Sequence, residues 1–320
     1  MKQMKVSVVI STYGMERIED THEGIDSVIS EAGDGTEIVV VVDRNPSLTS
    51  DLEKRYGSKI RIIVSDRKGL SHARNLGTEA ASGDIVAFID DDAVAGRDWV
   101  KSMINGFSKD SRVGALTGPI EPHWLGREAR WFPRDLYWIV SCSYMEYENG
   151  EEIPTVIGTN MAFRKETLVR LGGFSDRLGA VQKWKLKDGT WVQSCGVTGE
   201  ERDICQRLME SGGKIVFSKG MTVKHKVHPF RLTMRNILNR AYWEGFSKAM
   251  LMEKYKKGSE GMPLLSLESD YLMRLLGAIP RFRPKDGASS RVRGIATIGF
   301  VLIGVLIGYA AYPIIGGRYR

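Results

Sequence analysis

Four short aliphatic, mostly β-branched runs punctuate the first part of the chain: Val6–Ser11, Ile38–Val42, Ile60–Val64 and Ile85–Ile89. They are close to continuously apolar rather than alternating, which marks strands buried on both faces. Stretches with helical spacing lie between them, near 18–31, 47–56 and 69–81. Strands and helices alternating at this interval predict βαβ units around a central sheet. In such sheets ligands gather at the carboxyl ends of the strands. The residues that matter are then the polar ones that end each run: Ser11, Thr12 and Tyr13; Asp43; and Asp90, Asp91 and Asp92.

The triple carboxylate in FIDDDA, residues 88–93, is the strongest local signal. Three adjacent carboxylates at a strand end repel one another unless a cation sits among them. In an extended segment alternate side chains share a side, so Asp90 and Asp92 point together. Few carboxylates plus phosphate oxygens are a natural shell for a divalent ion on a nucleotide diphosphate, Mn²⁺ or Mg²⁺. A solvated acidic turn is the plainer alternative. RKGLSHARNLG, residues 67–77, brackets a short helix carrying Arg74, and helix N-termini and arginines suit phosphates. GEERD, residues 199–203, places Glu200 and Glu201 at a helix start, where the dipole keeps a general base ionised. No GxGxxG follows the first strand and no GxxxxGK[ST] occurs, which argues against a nicotinamide site and excludes a P-loop.

Charge is distributed unevenly. Residues 1–250 hold 35 basic and 34 acidic side chains, and residues 251–320 hold 11 and 5. A nucleic-acid binder would carry its excess over the folded domain, so none is expected as a partner. A basic tail beside an apolar run fits a membrane surface. Such a run exists: Gly294–Gly317 contains no charged residue, long enough to span a bilayer. Arg281, Arg283, Lys285, Arg291 and Arg293 precede it, and Arg318 and Arg320 follow. The N-terminus lacks a signal-peptide pattern. The expectation is a single-pass C-terminal anchor with the rest of the chain cytoplasmic. Three scattered cysteines, Cys142, Cys195 and Cys205, make no disulfide framework.

VSVVISTYGM, EIVVVVD, KGLSHARNLG, VAFIDDDAVAGRDWV, GTNMAFRKETLVRLGGF and GEERDICQRL stand in the order and spacing of glycosyltransferase family 2. The chain resembles these inverting enzymes of GT-A fold over about residues 5–250. With GPIEPHW, YWIVS, HKVHPFRLT and NRAYWEGFSKA, it looks most similar to archaeal enzymes that move glucuronic acid onto a dolichyl-phosphate-linked hexose. The resemblance implies a Rossmann-like mixed sheet flanked by helices, with an amphipathic or transmembrane helical tail. It matches Thr12, Tyr13 and Asp43 to nucleobase and ribose, Arg74 to the neighbourhood of the nucleotide, and Asp90 and Asp92 to the metal-binding pair. It places Asn160 at the acceptor and donor-sugar pocket, Glu201 at the catalytic base, and His225 at a third metal ligand. The base motif here is Glu-Glu rather than Glu-Asp, which leaves Glu200 as a substitute. Trp124 belongs to an aromatic-rich stretch suited to contact with a sugar acceptor.

The implied reaction is transfer of a hexose, glucuronic acid or another, from a nucleotide donor of UDP type to a lipid-linked glycan on the membrane. The implied organisation is a nucleotide-sugar half at 1–110, an acceptor and base half at 111–230, interfacial helices at 231–285 and an anchor at 286–320. A sugar nucleotidyltransferase would share the sheet and the metal carboxylates but needs a Gly-rich basic phosphate loop, which Ser11–Met15 does not supply. A nucleotide-binding membrane scaffold without catalysis is the other alternative.

Overall fold

The structure, a computed structural model, describes residues 4–126, 129–179, 181–185, 191–255, 273–280, 282–283 and 287–316. Arg281, Lys285, Arg318 and Arg320 lie outside the described residues.

The four apolar runs form strands β1 (Val6–Thr12), β2 (Thr36–Asp43), β3 (Arg61–Ser65) and β4 (Ile85–Asp90). The helices between them are α1 (Ile18–Glu31), α2 (Pro46–Tyr56) and α3 (Leu70–Ala80). Local chemistry sets the ends: Asn45 caps α2 by accepting the Leu48 N–H at 3.1 Å, and Pro46 opens it. After β4 come β5 (Ala93–Ala95), α4 (Trp99–Lys109), β6 (Val113–Thr117), β7 (Ile120–Trp124), β8 (Asn160–Arg164) and α5 (Lys165–Arg170). They are followed by β9 (Val181–Lys185), β10 (Trp191–Cys195), α6 (Glu200–Glu210), β11 (Lys214–Phe217) and β12 (Val223–Val227). Three helices close the chain: α7 (Met234–Tyr255), α8 (273–280) and α9 (Ala288–Ile315).

Seven strands form the main sheet in the order β11-β6-β8-β4-β1-β2-β3. All run parallel except β8, which lies antiparallel between β4 and β6. The sheet is mixed, and residue 160 sits beside residue 89 because of this insertion. Two further assemblies complete the strands, a three-stranded sheet β5-β12-β7 and the hairpin β9-β10. Val9, Val39, Phe88 and Phe163 on one face of the main sheet share a core with Ile204 and Leu208 of α6. Val8, Ile10 and Val40, which alternate with them, are also fully buried, which accounts for the unbroken apolar runs.

The chain divides into two compact units. Unit 1 comprises 1–123, 141–176 and 200–226 and contains the main sheet. Unit 2 comprises 124–140, 177–199 and 227–320 and contains α7, α8 and α9. Its core gathers Trp243, Phe246 and Leu251 of α7 with Val197 and Tyr312.

Candidate active site

The carboxyl end of β4 carries Asp90, Asp91 and Asp92. β12 pairs with β5 so that His225 lies opposite Ala93, one residue past Asp92. This register places His225 Nε2 3.1 Å from Asp92 Oδ1. Asp90, Asp92 and His225 each offer a ligand atom within 4.8 Å of the others. On the far side of the ring, Nδ1 lies 3.8 Å from Cys142 Sγ, and both residues are fully buried. That contact leaves Nε2 directed at the carboxylates.

Arg17, between β1 and α1, meets the same cluster. Its guanidinium lies 3.1 Å from Asp91 Oδ1 and also pairs with Asp92. Burial works against charge on Arg17, but Asp91 and Asp92 outweigh it and raise its affinity for the proton. Burial pushes Asp91 up to about 7, with Arg17 opposing and Asp92 reinforcing the rise. Asp91 Oδ2 is buried and has no hydrogen-bond partner among the described residues.

A second charged cluster adjoins the first. Arg74 on α3 is buried, and its Nη1 lies 3.2 Å from both Glu200 Oε1 and Glu201 Oε1 in the first turn of α6. Its Nη2 lies 3.9 Å from Asp90 Oδ1. Burial again disfavours the charge, and Glu201, Glu200 and Asp90 together overcome it, so Arg74 stays a cation. Phe174 lies under the guanidinium, 5.5 Å from ring centre to carbon. Thr159 donates to Asp90 Oδ2 at 2.8 Å. Gly158 beside it has no side chain, and a Cβ there would overlap the Glu201 carboxylate and the Arg74 guanidinium. Five carboxyl groups therefore surround two guanidinium groups. This excess of negative charge, the orphaned oxygen of Asp91, and two carboxylates converging with an imidazole all fit a divalent cation such as Mn²⁺ or Mg²⁺.

Thr12 is buried at the end of β1, with its hydroxyl 3.3 Å from that of Thr21. Tyr13 is exposed, and Asn45 donates to its carbonyl at 3.2 Å. Asp43 ends β2, and its buried Oδ1 has no hydrogen-bond partner among the described residues. Asn160 is fully buried; it accepts from Trp99 Nε1 at 2.9 Å and donates to the Met221 and Pro119 carbonyls. Its amide is thus taken up inside the fold, and the adjacent Thr159 is the residue that reaches Asp90. Trp124 belongs to unit 2, where it packs edge-on against Tyr137 at 5.8 Å. Sequence reasoning passed over Arg17, Asp91 as a partner of Arg17, Gly158, Thr159 and Cys142. Gly158 and Thr159 carried a signal through their places in the GTN motif, and Asp91 through FIDDDA; Arg17 carried none.

Residues 7–172 match the model of the family described as glycosyl transferase family 2. Across 262 residues the chain is 30% identical to the glucosyl-dolichyl phosphate glucuronosyltransferase of Haloferax volcanii, covering 80% of each protein. The chain belongs to glycosyltransferase family 2. The succinoglycan biosynthesis protein ExoM of Rhizobium meliloti is a more distant family relative, 22% identical over 259 residues, with 80% of this chain and 77% of ExoM covered. Among solved structures, the fold matches the mannosyltransferase PcManGT of Pyrobaculum calidifontis in complex with GDP-Man and Mn²⁺. That match has a TM-score of 0.56 at 18% identity and covers 96% of this chain and 88% of the other. GalNAc-T7 with UDP, GalNAc and Mn²⁺ matches with a TM-score of 0.53 at 16% identity, over 84% of this chain and 55% of that longer one. These likenesses establish the GT-A-type mixed sheet with flanking helices, and membership of the family makes this chain a hexosyltransferase.

Proposed function

We propose that this family 2 enzyme moves a hexose from a UDP-linked donor onto a lipid-linked acceptor with inversion, working at the cytoplasmic face of a membrane. The single observation that carries the reading is the pair of clusters joined through Arg74: an Asp90, Asp92 and His225 cation shell on one side and Glu200 with Glu201 on the other. The relative from Haloferax volcanii, named for a glucosyl-dolichyl phosphate substrate, supports a lipid-linked acceptor and a glucuronic acid donor. The assembly served would be an N-glycan or a surface polysaccharide.

Thr12, Tyr13 and Asp43 sit at the strand ends suited to the nucleoside, and the unpartnered Asp43 oxygen offers an acceptor to a ribose hydroxyl. Asp90, Asp92 and His225 would hold the divalent ion. When bound, that ion offsets the charge that builds on the leaving diphosphate. Glu201 is the general base. Its side chain is 20% exposed against 5% for Glu200, so it is the member of the pair that an acceptor hydroxyl can reach. Arg74 and the α6 N-terminus set positive charge beside it, and it takes the hydroxyl proton during attack on the anomeric carbon. One displacement then inverts the configuration with no covalent intermediate. Trp124 is assigned to the acceptor on its aromatic character, and Asn160 to holding the Thr159 segment in place.

The test is incubation of the purified protein with UDP-glucuronic acid and a short-chain polyprenyl phosphate glucose, in Mn²⁺ and then in excess chelator. UDP release and a glycolipid product of inverted anomeric configuration, both lost with chelation, are expected. A product of retained configuration, or undiminished turnover in chelator, would sink the reading.

A further inference from the structure

α9 is buried along one side and exposed along the other. The buried side packs on α7 at backbone distance. A side chain at Gly308 would collide with the Tyr242 carbonyl, one at Gly304 with Ala241, and one at Gly245 of α7 with the Val305 carbonyl. Gly304 and Gly308 are four residues apart, the spacing that lets two helices approach this closely. Further along, Tyr312 donates to Glu253 Oε2 at 2.6 Å and lies edge-on against Phe246. The contacts advance together along both helices, so α7 and α9 run in the same direction as one packed pair.

The opposite side of α9 is a continuous apolar stripe. Val292, Phe300, Ile303, Leu306, Ile307 and Ile314 are all exposed, at the three- and four-residue spacing of one helix face. Nothing charged lies on α9 after Arg293. At its N-terminal end Arg293 stacks on Trp131, 3.5 Å from the ring centre, and Arg291 is close by. An arginine and a tryptophan at the start of an apolar stripe are side chains suited to the headgroup level of a bilayer. The basic excess of residues 251–320 complements anionic lipid.

By length and composition alone α9 could cross a membrane, with mean hydropathy 2.1. Its packing opposes that arrangement. An upright α9 would draw its partner helix into the hydrocarbon with it, including Arg240, Glu244, Lys248 and Glu253 of α7. Ionised side chains at that depth are strongly disfavoured. We infer that α9 lies in the plane of the membrane, half-embedded through the Val292–Ile314 stripe while its glycine side stays locked on α7, so that both of its ends remain on one face of the bilayer. This deepens the lipid-acceptor reading and rests on it for the choice of a bilayer as the occupant. The geometry holds unit 2 at the headgroup level, the depth at which the phosphate and sugar of a polyprenyl-linked acceptor lie.

The experiment uses the full chain with one protease site before Met1 and another after Arg320, in sealed membrane vesicles from expressing cells. An in-plane helix has both sites cut or both protected before detergent is added. One site cut and the other protected would establish a span and overturn the inference. In parallel, Ile303→Asp/Ile307→Asp should weaken flotation with phosphatidylglycerol vesicles about tenfold or more, the scale expected when apolar burial in the interface is lost. Its circular dichroism and its transfer to a short water-soluble acceptor should stay unchanged. Undiminished flotation would overturn the stripe as the lipid contact. Loss of a wild-type dimer in place of lost flotation would show that a second copy covers it. If the topology result holds but a lipid-linked acceptor is never glycosylated, the acceptor reading fails and the in-plane helix stands.

Discussion

Glu200 and Glu201 share one guanidinium but differ in access to an acceptor. Glu201→Gln is expected to keep donor affinity and lose about 100-fold in turnover, the scale of general-base catalysis, as read by steady-state kinetics beside nucleotide calorimetry. Glu200→Gln should leave most turnover in place and act mainly on stability, since it removes a buried charge from Arg74; the reverse ranking would make Glu200 the base. Gly158→Ala tests the same geometry from the other side. The added methyl must displace the Glu201 carboxylate or Arg74, so turnover should fall by about tenfold or more while the unfolding free energy falls by the ~1–3 kcal/mol of an overpacked site, as read by denaturant titration. Unchanged kinetics would mean that Glu201 need not sit where it does. The carboxylates were legible in the sequence because FIDDDA and GEERD are unusual clusters of one residue type. The roles of Arg17 and Gly158 were not legible, because their importance comes from partners far along the chain. Arg17 meets residues 91 and 92, and Gly158 meets residues 74 and 201.

At the scale of elements, strands and helices in the first ninety residues follow local rules, and the expected α1, α2 and α3 lie within a residue or two of their observed bounds. β8 is different. NMAFR is a short, ordinary run, and its antiparallel slot between β4 and β6 is decided by non-local pairing that no local pattern encodes. The edge of β1 and β2 makes a prediction of its own. Glu37 on β2 accepts from the Ser7 hydroxyl of β1 and from the Ser82 N–H before β4. Its partial burial would raise its pKa, but hydrogen bonds from Ser7, Ser82 and Gly83 prevail and hold it below the usual carboxylate value. A depressed folded value means that the stabilisation is complete above the ordinary glutamate range and is lost as pH falls through the lowered value. Glu37→Gln should therefore lower stability near neutrality and flatten the acid limb of a melting-temperature profile. A parallel profile at every pH would show that Glu37 contributes no linkage.

At the scale of the whole molecule, the apolar C-terminal run was visible from composition, but its docking on α7 was not, because hydropathy does not report which side of a helix has a partner. Thr297, Ile298 and Val301 of α9 are fully buried, and Tyr312 joins the core of unit 2. Removal of residues 286–320 is therefore expected to lower the melting temperature and promote aggregation rather than simply free a soluble enzyme. Differential scanning fluorimetry and light scattering would show this, and a truncated protein as stable as the full chain would contradict it. The interleaving of the two units has a further consequence for the order of events during synthesis. The last segment of unit 1 ends at residue 226, and α9 begins only at residue 288. Every side chain of the two charged clusters has thus left the ribosome before α9 is translated. The nascent protein can assemble its chemistry in water first, and the α7 surface around Gly245 stays open until α9 arrives.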